Sequence, residues 1–557
     1  MDGDGTPNGG DQRRTLHALL ARAPQCHRER RRHRITSLAR NSRSGKPRNI
    51  CDRCAQEDVG RNSIILPLTM LLERIQSHFP HPLTACQQNA VRGLAHFFAA
   101  QNEQSVFILR GYAGTGKTSL VGALVKVMKE MRRHVVLLAP TGRAAKVFSH
   151  HAGAPAYTIH KAIYRQQTFN GEDTRFGLGY NKHQGTLFIV DEASMIATGD
   201  GGSRMFGSGS LLEDLLRFVF EAENCKIIFV GDTAQLPPVG EDESPALRAE
   251  TMRYYGMEVY EADLTEVVRQ DSRSGVLHNA THLRELISEE AFCLPQITGS
   301  QRGKVRFLPG NELIEALVTS YREYGSEGTI VVTRSNKRAN IYNSGIRARI
   351  FDREEELTRG DMVMVVKNNY YWTTEARRGC TPDELREMRL PDFLANGDIL
   401  EVVRLSNIHE QYGFNFADAT LRLPDYDDSE IECRVLLSTL SSESPSLTHE
   451  ESEKLFQAVY DDYFDIPSKR ERMKKLREDP YYNALQLKYA YAVTCHKAQG
   501  GQWEHVYIDQ GYLTEDMADI SYLRWLYTAF TRTSEQVFLV NWPKEQQIVE
   551  EDEEDDE

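Results

Sequence analysis

From about residue 63 onward, short apolar runs alternate with longer segments of helical periodicity. Runs of strand length occur at 106–109, 135–139, 187–190 and 227–230. Separated by helix-length segments, they predict a parallel sheet covered on both faces. A second set begins at 329–333 and resumes at 489–493, 506–508 and 537–540. Strands of another texture lie between, at 361–366, 397–403 and 431–437. Their apolar positions recur nearer to every second residue and turn residues separate them, which predicts a small barrel. Residues 449–479 read as a charged helical stretch. One α/β domain is thus followed by a second, which a β-rich insertion with a helical appendage interrupts.

The first 62 residues break this pattern. Periodicity is nearly absent, and 14 Lys and Arg stand against 7 Asp and Glu. They read as a basic, unfolded arm; the competing readings are a nucleic-acid contact and an organelle-targeting peptide, the last opposed by Asp2, Asp4 and Asp11. Cys51 and Cys54 have zinc-ligand spacing, with Cys26 and His27 upstream, but no second compact pair completes a four-ligand site.

Composition narrows the classes. The chain has 557 residues, 40% of them apolar and 26% charged, enough to bury cores. No run of about 18 apolar residues suggests a membrane span. Nine scattered Cys read as reduced thiols in a cytoplasmic compartment. The net charge of −13, with residues 550–557 all acidic, argues against nonspecific coating of nucleic acid but leaves room for a local basic groove.

Three clusters carry the chemistry. Gly111, Gly114, Thr115, Gly116, Lys117, Thr118 and Ser119 follow the first strand run and open a predicted helix over 119–131. Glycines let such a loop curl so that its N–H groups face phosphates at a helix N-terminus. Lys117 would reach the β- and γ-phosphates of ATP, and Thr118 would ligate Mg²⁺. Asp191 and Glu192 follow the 187–190 run directly, at a strand end that faces the ligand crevice of a parallel sheet. There Asp191 can hold Mg²⁺ and Glu192 can activate water. The third cluster runs from Gly231 and Asp232 to Gln235, Leu236, Pro237, Pro238 and Val239. Its Gln235 can sense the γ-phosphate.

With these clusters the chain resembles a superfamily 1 helicase of the RecD/Dda-like branch, over about residues 80–543. Further matches follow in order: 83–87, ending in the adenine-reading Gln87; 139–145; 158–161; 264–270; 493–500; and 527–532. The resemblance implies two RecA-like P-loop NTPase domains with parallel sheets. It carries the family's catalytic roles to Lys117, Glu192, Gln235, Arg269 and Arg532. The arginines would come from the second domain to neutralise charge on the γ-phosphoryl group. Single-strand grip would fall on Thr141, Arg143, Thr158, His160, Lys161, Thr494, His496 and Lys497. Tyr370, Tyr371, Trp372 and Trp503 are candidates for stacking on bases or for core packing.

The expected organisation is an arm at 1–62, a first ATPase domain at 63–262, a second at 263–351 and 481–543, an insertion at 352–480 and an acidic tail at 544–557. By resemblance, 165–185 holds a β-hairpin wedge tipped by Phe176 or Tyr180, and the insertion is a barrel of the Src-homology-three type. The implied activity is an ATP-dependent DNA helicase moving 5′→3′. The alternatives are a nucleic-acid-stimulated ATPase that remodels protein–DNA complexes, and an RNA helicase. Expected partners are single-stranded DNA, duplex junctions and a single-strand-binding protein, with a monomeric chain and no membrane.

Overall fold

A computed structural model describes residues 68–550, apart from 80, 101, 169–173, 200–206, 267–274, 292, 301, 382, 385–387 and 392. The basic arm with its Cys51 and Cys54 pair, Arg269 and the acidic residues 551–557 therefore lie outside the described residues.

Along the first domain the strands are β1 (Ser105–Gly111), β2 (Val135–Ala139), β3 (Ala156–Thr158), β4 (Tyr164–Thr168), β5 (Thr174–Leu178), β6 (Leu187–Val190), β7 (Lys226–Gly231) and β8 (Glu258–Leu264). Six of them form one sheet in the order β3-β2-β6-β7-β1-β8, and every pairing is parallel. The central strands β2, β6, β7 and β1 are mostly apolar because both of their faces are covered. On β1, Phe107 and Leu109 pack with Leu120 and Leu124 of the helix Lys117–Glu130. Val106 and Ile108 face the other way, toward Leu212 and Leu215 of the helix Leu211–Glu221.

The four predicted runs are the four central strands. The edge strands β3 and β8 escaped the sequence reading because they lack a buried apolar run; only Leu264 of β8 is buried. Strand β8 also runs through the expected boundary at 262, so the first domain extends to Leu264.

Strands β4 and β5 form a separate antiparallel ribbon in the region expected to hold the wedge. The proposed tip residues need correction. Phe176 sits in β5 opposite Gln166, and Tyr180 falls beyond the end of the strand, at the base of the ribbon where Tyr164 pairs with Leu178.

The second domain contributes β9 (Ile297–Gly299), β10 (Val305–Leu308) and β11 (Thr329–Thr333) before the insertion. The insertion supplies β12 (Met362–Val365), β13 (Ile399–Gln411), β14 (Phe414–Leu423) and β15 (Ser429–Leu436), and β16 (Leu485–Tyr489) closes them into a barrel. The chain then returns with β17 (Ala492–Thr494), β18 (Trp503–Asp509), β19 (Thr533–Val540) and β20 (Gln547–Val549). The second sheet is again all parallel, in the order β10-β19-β18-β11-β17.

The apolar run at 489–493 is thus not one strand. It straddles two sheets, with Tyr489 ending the barrel and Ala492 starting β17. Continuous burial from Leu485 to Val493 hid the break, since no exposed position marks it. The insertion consequently ends near 490 rather than 480. Its charged stretch is two helices, His449–Asp461 and Lys469–Arg477, the first started by a reciprocal cap between Thr448 and Glu451.

The base of the barrel is pinned by a buried charge cluster. Asp361 is fully buried and accepts bonds from Arg347 (2.9 Å), Arg353 (2.8 Å), the Thr358 N–H (2.8 Å) and Tyr491 (3.1 Å). Burial pushes its carboxyl pKa up, but the bonds from Arg347, Thr358 and Arg353 outweigh that and leave it below the ordinary value. A depressed carboxyl stabilises the fold above its unfolded pKa of about 3.9 and loses that contribution as pH falls through the folded value. Asp361→Ala strands Arg347, only 6% exposed. It should cost about 3–5 kcal/mol, read as a lower urea midpoint for the barrel-containing domain.

Among the described residues no helix is long and apolar enough to cross a membrane.

Candidate nucleotide cleft and nucleic-acid track

The carboxyl edge of the first sheet gathers the three sequence clusters. The loop after β1 curls through Gly114 (φ 78°) and Gly116 (φ 84°), left-handed conformations that favour glycine. Gly116 then caps the helix Lys117–Glu130 without any side-chain bond, leaving its first N–H groups free for an anion. A Cβ at Gly116 would also lie 2.7 Å from Gln87 Nε2.

Within the loop, Lys117 Nζ donates to the carbonyls of Gly111 (2.6 Å) and Tyr112 (2.9 Å) and lies 3.9 Å from Asp232. Thr115 is fully buried and donates to the Tyr112 carbonyl, so it shapes the loop from within. Thr118 is half-buried and Ser119 exposed at the helix start.

Gln87 differs from its expected role. Its Nε2 donates to the Thr115 carbonyl (3.1 Å), and its Oε1 accepts from the Thr84 N–H (3.1 Å). Both ends of the amide hold protein, and the side chain is 1% exposed, so here it braces the phosphate loop rather than facing a base.

Strand β6 delivers Asp191 and Glu192. Glu192 adopts φ 50°, left-handed for a non-glycine residue, with its N–H on Asp191 Oδ1 (2.9 Å). Backbone strain of this kind concentrates at functional sites. Burial, then the neighbouring Glu192 carboxylate, raise the Asp191 pKa. A divalent cation would relieve that cost, and Thr118 and Asp191 are the hard oxygen donors that Mg²⁺ accepts. Among the described residues no cluster of three metal-binding side chains exists, so nucleotide phosphates and water would complete the shell.

Strand β7 delivers Asp232 and Gln235. Gln235 is 5% exposed, and its buried Oε1 has no partner in the protein. An orphaned buried acceptor fits a group awaiting a ligand.

The opposite wall comes from the second domain, chiefly the helix Ile520–Phe530. Arg532 is 4% exposed, held by the Thr528 carbonyl (3.1 Å) and Thr531 Oγ1 (3.1 Å), with its guanidinium 4.0 Å from Glu192. Tyr527 accepts from the Ala113 N–H (2.9 Å) and donates to Asp232 (2.6 Å). Leu236 is gripped twice, by Thr528 Oγ1 on its N–H (2.9 Å) and by Gln499 Nε2 on its carbonyl (2.7 Å). The Arg284 guanidinium lies 4.5 Å over the Tyr112 ring. Tyr527, Thr528 and Gln499 lie within the matches at 527–532 and 493–500, whose pattern assigns them no task of their own. Arg284 carried no signal.

A second cleft, of about 750 Å³, separates the first domain from the barrel and the second sheet. It is lined by Arg143, Lys146, Thr158 and Lys161 on one side and by Asp425, Tyr426 and Trp503 on the other. Thr141 and Thr158 accept from the N–H groups of Ala144 (3.2 Å) and Lys161 (3.2 Å), capping helices while keeping a hydroxyl proton to donate.

Several expected grips are engaged by protein. The Arg143 guanidinium stacks 4.1 Å over Trp503 and donates to the Gln502 carbonyl (3.1 Å). Lys497 bonds Asn396, and burial lowers its pKa to about 8. Burial holds His160 at about 4, with its ring against Tyr164 and Phe393, so it is neutral and suited to hydrogen bonding rather than charge. Burial, then Lys497, lower His496 too. Thr494 starts the helix Cys495–Ala498 with no side-chain cap bond.

The stacking candidates resolve toward packing. Trp503 is 2% exposed, Trp372 donates to the Asn483 carbonyl (2.8 Å), Tyr370 packs on Phe393 and Tyr371 donates to the Glu478 carbonyl (3.0 Å). Tyr157, 45% exposed beside Lys161, is the more open aromatic on the track.

Comparison with known proteins follows the same division. An AAA domain family model matches residues 82–294, and a UvrD-like helicase C-terminal domain model matches 489–540. The first covers the phosphate-loop wall of the nucleotide cleft and runs on through Arg284, and the second covers Gln499 and the helix Ile520–Phe530 of the opposite wall. Among curated proteins, the ATP-dependent RecD2 DNA helicase of Deinococcus radiodurans is 26% identical over 303 residues, 51% of this chain and 38% of that one. The ATP-dependent DNA helicase dda of Enterobacteria phage T4 is 24% identical over 291 residues, 51% of this chain and 61% of that one. Together these matches support an ATP-hydrolysing helicase of superfamily 1, similar to the RecD/Dda-like branch.

A longer match covers 79% of this chain and 96% of uncharacterized protein R530 of Acanthamoeba polyphaga mimivirus, at 22% identity. A solved structure of Pif1 helicases at forked duplex DNA aligns over 84% of this chain and 95% of that one, at 16% identity and a TM-score of 0.40. The chain spans about two-fifths of RecD2 and three-fifths of dda.

Proposed function

We propose that this chain is an ATP-dependent DNA helicase that translocates 5′→3′ on single-stranded DNA by closing its two RecA-like domains on ATP. The observation that carries the reading is Arg532 of the second domain standing 4.0 Å from Glu192 of the first. A cation from one lobe beside the general-base candidate of the other makes hydrolysis depend on lobe closure.

The residues divide the work as follows. Lys117 and the loop N–H groups neutralise and orient the phosphates. Thr118 and Asp191 hold Mg²⁺, which supplies charge neutralisation at the phosphate oxygens when bound. Glu192 takes the proton of the attacking water, Gln235 contacts the γ-phosphoryl end, and Arg532 stabilises the charge that builds there. Closing and reopening, with each lobe gripping the strand in turn, converts turnover into stepping. Thr141, Arg143, Thr158, Lys161, Thr494, His496 and Lys497 supply donors and charge along the track.

DNA is favoured because RecD2 and dda, to which this chain is similar, are both named DNA helicases. Direction rests on the branch resemblance. The chain acts as a monomer at single-strand–duplex junctions, with a single-strand-binding protein as its candidate partner.

Strand displacement on duplexes with opposite overhangs tests the reading. Unwinding is expected from a 5′ overhang; unwinding only from a 3′ overhang reverses the direction. ATPase rates with single-stranded DNA, RNA and no polymer test the substrate. Stronger stimulation by RNA makes the chain an RNA helicase, and protein displacement without duplex separation makes it a remodelling ATPase.

A further inference from the structure

We infer that Tyr527 is a positioning residue that decides, through Asp232, whether Lys117 is free to hold phosphate. The inference rests on the nucleotide cleft described above and extends it.

Asp232 has 0% exposure, and its carboxylate has three neighbours. The Ala234 N–H donates to Oδ1 (2.9 Å), the Tyr527 hydroxyl donates to Oδ2 (2.6 Å), and Lys117 Nζ stands 3.9 Å from Oδ2. Two of these can compete for the same oxygen, and they belong to different domains. Tyr527 is 1% exposed on the helix Ile520–Phe530 of the second domain, whereas Lys117 and Asp232 belong to the first. The Tyr527 oxygen also accepts the Ala113 N–H (2.9 Å), a phosphate-loop donor. One hydroxyl therefore joins the loop, the strand-end carboxylate and the helix that leads into Arg532.

A buried carboxylate that loses a donor takes the nearest replacement, because leaving it unpaired costs more than rearranging a flexible ammonium. With the lobes closed, Tyr527 satisfies Oδ2, and Lys117 rests on the Gly111 and Tyr112 carbonyls (2.6 and 2.9 Å), from which it can turn to phosphate. When the lobes part, the hydroxyl leaves with its helix, and Asp232 draws Lys117 across the remaining gap. The phosphate site then loses its cation as the second domain withdraws, which ties product release to opening. No bond is made or broken in this exchange; one ammonium changes partners.

The test uses the full-length chain and the fluorescence of labelled ADP, read with and without oligo-dT, so it does not depend on unwinding. Tyr527→Phe keeps the ring and removes the hydroxyl. It should weaken ADP binding about tenfold or more, the scale of one charge-assisted hydrogen bond, and leave nucleotide-free affinity for oligo-dT unchanged. Adding Asp232→Asn should restore ADP affinity to within about threefold of the parent, because an amide holds Lys117 only weakly; a structural defect would instead deepen. Asp232→Asn alone should slow ADP release about tenfold, a readout that stands even if the Phe variant folds poorly. Unchanged ADP binding in Tyr527→Phe, no recovery in the double variant, or unchanged release in Asp232→Asn would each overturn the inference. Failure of the parent to unwind any duplex would sink the helicase reading and leave this one intact.

Discussion

Replacing Arg532 with alanine should slow single-strand-stimulated ATP hydrolysis by roughly 10³–10⁵-fold, the range over which a finger arginine acts in other phosphoryl-transfer enzymes. The guanidinium is already aimed. Bonds to the Thr528 carbonyl and Thr531 Oγ1 fix its plane, and only 4% of the residue is exposed. Such preorganisation means that little reorganisation is needed when charge develops. Lysine should not rescue it, since a single ammonium cannot reproduce the fork that meets both backbone and phosphate. Nucleotide binding should change far less than turnover, because the arginine acts on charge that exists mainly in the transition state. ATPase turnover within tenfold of the parent would remove Arg532 from the chemistry.

Lys117→Ala should abolish turnover, a fall of at least about 10²–10³-fold, and should weaken ATP binding as well. Here the lost charge faces phosphate in both ground and transition states, so binding and rate fall together. The side chain also ties the loop through the Gly111 and Tyr112 carbonyls. A thermal melt must therefore accompany the assay. An unchanged melt with no turnover assigns the effect to phosphate, and substantial hydrolysis in a clean preparation contradicts the role.

Legibility in the sequence followed burial. Strands β2, β6 and β11 were readable to the residue because each holds an unbroken apolar run, bounded in β11 by Thr329 and Thr333. The phosphate loop was readable because its chemistry demands glycine at Gly114 and Gly116 and leaves few alternatives. The same uniform burial defeated the reading at 489–493, where a barrel strand and a sheet strand join without a polar residue between them. Partnerships across domains were not readable at all. Nothing local says that Trp503 stacks under Arg143 rather than under a base, or that Tyr527 meets Asp232 some 295 residues away in sequence. Motif position also says nothing of the bond by which the Gln87 amide braces the loop at the Thr115 carbonyl.

The cleft between the first domain and the barrel is bridged on two sides. Arg143 reaches Gln502 and Trp503, while Lys146 reaches the Pro424 carbonyl (2.8 Å) and the Asp425 carboxylate (3.3 Å). A linear polymer can be threaded through such an eyelet from its tip. A covalent circle has no tip, and for it one bridge must unlatch. The Lys146 side is the hinge to give way, since its lysine is 51% exposed and such a pair is worth no more than about 1 kcal/mol. At a fixed salt concentration, Lys146→Ala should accordingly quicken loading onto circles relative to free ends, since both lose the same phosphate attraction and only circles need the latch to open.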